Sequence, residues 1–223
     1  MIRPAFLGIL LLLTSVEAAS AGAWLRERGT GFLSTAGTVT QAREASGSLY
    51  AEYGLTESLT LGLDVNGGMD QLGIPTGDGT LFLRFPLSAA DAQDKWAAHI
   101  GLGARYEPRE FFPSAELGLS WGRGLVWGER YGWIAVDATV NIARAPMKRI
   151  TKVDTTLGLG VSDRLKVMAQ LYLTHTNGTL FRTLAPSLLI DTKDGKSTYQ
   201  IGAEIPISSE DDVRLKLGIW RNF

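Results

Sequence analysis

The 223-residue sequence has no cysteine, so it offers neither a disulfide framework nor a thiolate metal site. Histidine occurs only twice and proline eight times. No histidine pair stands at i, i+2 or i+4, and Glu210-Asp211-Asp212 reads as a solvated acidic turn, so no metal or other cofactor is expected. A formal net charge of −1 gives no basic footprint, and nucleic acid is not expected as a partner. After the first twenty residues, no run approaches the ~18 apolar residues of a membrane-crossing helix. Almost no stretch carries the apolar stripe of a packed helix.

What is present is alternation. Glycine is abundant, at 26 residues, and much of it sits inside alternating runs, as at Gly101, Gly103, Gly118, Gly158 and Gly160. Glycine weakens a soluble strand but suits bends and close approach in a barrel. The chain opens MIRPAFLGILLLLTSVEAASA, with a positive Arg3, an apolar Leu7–Leu13 stretch and a small-x-small site at Ala19-Ser20-Ala21. This reads as a secretory signal peptide over residues 1–21, leaving a single domain from 22 to 223.

The remainder divides into about twelve short segments of period two. They fall near 31–40, 48–53, 59–66, 80–87, 96–106, 114–121, 131–142, 152–161, 165–174, 180–190, 198–205 and 213–223. The first is weak, and the tenth is irregular around Pro186, so ten or fourteen strands are also compatible. His175 to Thr179 reads as a loop, and Gly67 to Gly79 as a glycine-rich one. The spacing is that of an up-and-down antiparallel meander.

A soluble barrel and a transmembrane β-barrel share this alternation with the faces inverted. Three features favour the membrane barrel. The apolar parity carries almost no charge. Aromatics gather near strand ends, at Tyr53, Phe85, Trp96, Tyr106, Trp121, Trp127, Tyr131 and Phe223, as at a bilayer interface. An exported chain without cysteine fits an outer membrane. A soluble β-sandwich or ligand-binding barrel is the remaining alternative. Both termini are then expected in the periplasm, with outer loops near 41–47, 67–79, 107–113, 143–149, 175–179 and 206–212. The basic cluster Arg144, Met147, Lys148 and Arg149 reads as a solvated loop, with contact to lipopolysaccharide phosphates as the alternative if it lies outside.

On this assignment the lumen is lined by Glu52, Asp64, Arg84, His99, Arg105, Glu116, Asp137, Asp154, Lys166, Glu204, Arg214 and Lys216. Mixed charges there either line a narrow watery path or pair and close it. Tyr50, Phe82, Met168, Tyr172 and Trp220 share that face, so a narrow or partly obstructed lumen is expected. An outer-membrane lipid-modifying enzyme is the competing class. It needs a serine–histidine pair, and neither His99 nor His175 sits in such a context, so no catalysis is expected.

Two resemblances add to this reading. The final VRLKLGIWRNF resembles the C-terminal signal of bacterial outer-membrane β-barrels, which the barrel-assembly machinery reads. Leu215, Leu217, Ile219 and Phe223 would form it, and Arg221 departs from the pattern. The hairpin YAEYGLTESLTLGLDVNGG, from Tyr50 to Gly68, resembles that of the MetA-pathway of phenol degradation family of outer-membrane proteins. GVSDRLKVMAQ, GAWLRERGTGFLS and GIWRNF are similar to the same group. The likeness implies an outer-membrane barrel for uptake of small solutes, hydrophobic or aromatic ones included, by passive diffusion, with no catalytic motif. A closed structural barrel without transport is the alternative.

Overall fold

A computed structural model describes residues 22–108, 110–144, 148–207 and 212–223. The expected signal peptide, Met147, Glu210 and Asp211 lie outside them. Among the described residues every regular element is a β-strand: β1 (Gly31–Thr40), β2 (Ala45–Thr56), β3 (Leu59–Met69), β4 (Pro75–Pro86), β5 (Asp94–Glu107), β6 (Glu110–Trp127), β7 (Arg130–Ala143), β8 (Lys148–Gly160), β9 (Leu165–Thr176), β10 (Thr179–Asp191), β11 (Ser197–Pro206) and β12 (Arg214–Asn222). Each pairs antiparallel with its neighbour in sequence, and β12 pairs with β1, from Phe32↔Asn222 to Thr40↔Arg214. The sheet is therefore a closed barrel with no free edge.

Register explains why the alternation is so regular. Leu61, Leu83, Ile100, Leu117 and Val140 are successive cross-strand partners, so apolar residues meet apolar residues around the outside. The next inward row runs Gly62, Phe82, Gly101, Glu116 and Asn141, with glycine on either side of Phe82. Slipping β2 or β4 by one residue would put Glu52 or Arg84 on the outer belt. That belt is exposed, with Leu102 74% and Leu117 64% accessible. It inverts a soluble barrel, whose apolar face is buried, and has the pattern of a barrel meeting hydrocarbon.

Both Gly31 and Phe223 lie at one end, here the terminal end, with short turns around 57–58, 87–93, 128–129, 161–164 and 192–196. The far end carries the connections that follow β1, β3, β5, β7, β9 and β11. Tyr53, Phe85, Trp96, Trp127, Tyr131, Tyr199 and Phe223 form an exposed aromatic rim at the terminal end. Tyr106 and Phe111 pack together at the far end, with ring centroids 5.0 Å apart.

Several strands are longer than alternation indicates. The stretch 67–79 is mostly ladder rather than loop, with Gly67↔Gly77 and Gly68↔Thr76 paired, and only 70–74 connects the strands. Glycine and polar residues have weak strand preference, but in a closed barrel every strand has a partner on both sides. The connection is fixed by Asp70, whose Oδ1 accepts the Leu72 and Ile74 amides, each at 2.9 Å. For the same reason 122–127 belongs to β6, and β5 and β6 extend into 107–113. His175 is a further correction, lying in β9 with its side chain exposed. Pro186 stays within β10, but the pairing with β11 stops at Leu184↔Ile205 and resumes at Ser187↔Gly202, because proline has no amide to donate.

The β9–β10 hairpin turns on Asn177 (φ 51°) and Gly178 (φ 77°), both left-handed, as a two-residue turn requires. Gly178→Ala is expected to destabilise the barrel by about 1 kcal/mol. Urea unfolding in detergent would read this, and an unchanged midpoint would show that the turn tolerates a side chain.

Candidate functional site: the barrel interior

None of the twelve charged residues assigned to the inner parity is exposed. They separate by height along the barrel, which alternation cannot show. At the terminal end, Glu52 is the hub. Its Oε2 accepts Arg26 Nε at 2.9 Å, and its Oε1 accepts Tyr50 Oη at 2.7 Å and Arg84 Nη1. Arg84 Nη1 also donates to Tyr50 Oη at 3.0 Å. Glu52 and Arg84 are 2% and 3% accessible. Phe32 lies under Arg26, and Phe82 lies under Arg84, at 4.5 and 5.0 Å.

In the middle, His99 Nε2 meets Glu116 Oε1 at 3.2 Å, and Asn141 Nδ2 donates to Glu116 Oε2 at 3.2 Å. Asn66 Nδ2 bridges Asp64 Oδ1 at 3.1 Å to Asp78 Oδ2 at 3.4 Å. Asp137 and Asp154 are direct cross-strand partners on β7 and β8. Nearer the far end, Lys216 Nζ donates to Glu204 Oε1 and Tyr172 Oη, both at 3.1 Å. Lys166 pairs with Asp191 at 2.8 Å by the terminal rim. Arg214 lies at the far rim, in register with Thr40 and Glu204.

Two connected spaces follow. A far-end vestibule of about 840 Å³ is walled by small and polar residues of β1 to β4, among them Thr38, Ser46 and Asn66, and by Asp78, Arg105, Glu107, Glu204 and Lys216. Below it lies a chamber of about 300 Å³, sharing Ala36, Ser48, Tyr172 and Lys216 with the vestibule. Asp64, Glu116, Asp137 and Asp154 face this chamber, against Arg84, His99 and Lys216. A ladder of rings climbs its other side: Trp220 to Phe32 at 6.3 Å, Phe32 to Tyr50 at 6.4 Å, Tyr50 to Phe82 at 6.0 Å and Phe82 to His99 at 5.0 Å.

Toward the terminal end the interior is packed. Trp133, Met168 and Leu189 form a buried apolar layer, with Trp24 and Trp220 against it. Trp24 belongs to a stretch before β1 that alternation leaves unassigned. This stretch enters the barrel: Ala23 is 3% accessible, and the Arg26 amide donates to Thr60 Oγ1 at 3.1 Å. Further on, Gly29 N donates to Gly54 O at 2.9 Å, and Gly54 N to Thr30 O at 3.0 Å. The segment has no period of its own, and its partners lie tens of residues away, so nothing local in the sequence marks it. Tyr50, Asn141, Thr60 and Gln200 were likewise invisible as partners, though their inward parity was readable. Gln200 Nε2 donates to Ser187 Oγ at 2.9 Å.

Among the described residues no group of three or more His, Asp or Glu side chains is arranged to hold a metal ion. Neither histidine faces a serine hydroxyl within hydrogen-bond reach in the described interactions: His99 pairs with Glu116, and His175 sits on the exposed outer parity of β9.

No protein-family model matches the sequence, and no curated protein is similar to it. Solved structures are. The KdgM porin superposes with a TM-score of 0.60 at 8% identity, over 86% of this chain and 99% of that one. The NanC porin gives 0.56 at 9% identity, over 85% and 98%. The COG4313 outer-membrane channel from Pseudomonas putida F1 gives 0.56 at 15% identity, over 90% and 97%. At such identities the likeness is one of fold, a closed β-barrel that those outer-membrane proteins share.

Proposed function

We propose that the chain is an outer-membrane β-barrel that gives small, water-soluble solutes a narrow, passive path inward from the cell surface. The observation that carries this is the inversion of faces around a hollow interior: an exposed apolar belt outside, and a polar well of about 840 Å³ open at the far end inside. With the termini in the periplasm, the aromatic rim sits at the inner headgroup level and the vestibule opens outward. Lipid and lipopolysaccharide surround the barrel, and the assembly machinery inserts it. The resemblance to the MetA-pathway family supports this placement and points to aromatic solutes. The vestibule wall suits polar ones, and the chamber's ring ladder gives an aromatic solute a stacking surface.

The chamber's carboxylates outnumber its basic groups, and Lys216 is already shared with Glu204 and Tyr172. Charged rings of this kind favour counter-ions, so the path is expected to prefer cations. Single-channel recording in a planar bilayer tests this. Arg105→Glu, in the vestibule wall, should shift the reversal potential further toward cations, and Asp154→Asn should shift it back. Equal reversal potentials in all three proteins would sink the assignment of these residues to a path. Arg84 is unsuited to this test, because its guanidinium is committed to Glu52.

A closed structural barrel is the second reading, favoured by the packed layer of Trp133, Met168 and Leu189 at the terminal end. Absence of any current from protein that shows a heat-shifted gel mobility would support it.

A further inference from the structure

The segment before β1 crosses the barrel from one wall to the other. Gly22 lies against β6 and β7, at Ser120 and Asp137, while Arg26 reaches β2 and β3, at Glu52 and Thr60. The walls leave room for it. A Cβ on Gly122 would overlap the Trp24 ring, and one on Gly54 would overlap the Glu27 and Arg26 carbonyls. Such close approach is a use of glycine in a strand.

Asp137, like Asp64 and Asp154, faces the chamber without a dedicated cation among the described residues. Its direct cross-strand neighbour is Asp154, a like charge, which is unfavourable in a sheet. Arg84 is held by Glu52 and Tyr50, His99 by Glu116, and Lys216 by Glu204 and Tyr172. Gly22, however, is buried directly on the Asp137 carboxylate. A Cβ there would lie 1.8 Å from Asp137 Oδ1 and 2.5 Å from Ser120 Oγ, so only glycine fits.

Hydrolysis of the Ala21–Gly22 bond leaves a carboxylate on Ala21 and an amine on Gly22, which takes up a proton at neutral pH. We propose that this α-ammonium forms a salt bridge with Asp137 and latches residues 22–30 across the lumen as a stopper. The proposal rests on reading residues 1–21 as a cleaved signal peptide and on the barrel being a channel. Export would thus create the group that neutralises Asp137, the one of these acids on which Gly22 is buried. The uncut chain has a neutral peptide nitrogen at Gly22 and could form no such ion pair.

The test uses protein purified from outer membranes in detergent. Intact mass first establishes the N-terminus, and a mature chain starting anywhere but Gly22 overturns the latch. The α-amine is then labelled with pyridine-2-carboxaldehyde, which is selective for N-terminal amines. Folded wild type is expected to react at least about tenfold more slowly than the heat-unfolded protein, because reaction requires local opening. Asp137→Asn should recover most of that rate and raise single-channel conductance. Because Asp137→Asn could disturb folding, a second variant inserts two alanines between the cleavage site and Gly22. It leaves Asp137 intact, moves the ammonium away and should behave in the same way. Heat-shifted gel mobility confirms that each variant is folded. An amine in folded wild type that labels as fast as in the unfolded chain overturns the proposal. So do two folded variants with wild-type labelling and conductance. Current from wild type together with that result leaves the channel standing without the latch. Silence from every protein, with labelling as expected, keeps the latch and removes the channel.

Discussion

Glu52→Gln is expected to destabilise the barrel by about 3–5 kcal/mol, the range for breaking one partner out of a buried ionic cluster. Gln has nearly the same shape, so the effect isolates charge. The Glu52 side chain is fully buried and accepts from Arg26, Arg84 and Tyr50. An amide can accept at one oxygen only, and its NH₂ would face donors. Arg84 would then be a buried cation without a counter-charge, and its Nε already has no hydrogen-bond partner. Urea midpoints of the detergent-solubilised proteins would read the loss. Glu52→Gln combined with Arg84→Met should recover part of it, since the stranded charge is removed as well. A single mutant as stable as wild type would mean that the cluster is solvated and the terminal end open. The same substitution would also loosen the Arg26 anchor of the segment crossing the lumen.

Deleting Phe223 is expected to lower the amount of barrel in outer membranes by more than tenfold. Its structural share is modest. Gly31 N donates to Phe223 O at 2.7 Å, and Phe223 N to Gly31 O at 3.0 Å, closing the β1–β12 seam. Two such bonds contribute about 1–3 kcal/mol together. A stability change of that size alters abundance only several-fold in cells. The larger loss is predicted because Leu215, Leu217, Ile219 and Phe223 stand exposed along the outer face of β12, where the assembly machinery would read them. Comparing membrane levels with the yield of refolding from urea separates the two contributions. Matched losses in both would remove the signal role and leave Phe223 as a seam residue.

Much of the architecture was legible because barrel strands have one strict rule, apolar out and polar in. The rule placed all twelve strands, and it put Glu52, Asp64 and Arg84 on the same face as Arg105 and Lys216. It failed where residues were too small or too polar to alternate, as at 67–69 and 75–79, which are held by ladder bonds on both sides rather than by side chains. It also said nothing about height. Arg84 and Arg105 share a parity and looked equivalent, yet one is sealed beside Glu52 and the other lines the vestibule. The segment from Gly22 to Thr30 was unreadable for a different reason. Its order comes from Thr60, Glu52, Gly122 and Asp137, none of which is near it in sequence.

Among the described residues, three far-end connections are brief: 41–44, 70–74 and 177–178 are each five residues or fewer. In a bacterial envelope such a rim would sit low within the sugar layer of its lipid neighbours. A phage or an antibody approaching the cell would find few protruding handles. Diversity among relatives would then be expected to collect in the wall of the well, where solutes would pass, rather than in the loops that immune or viral pressure usually reshapes.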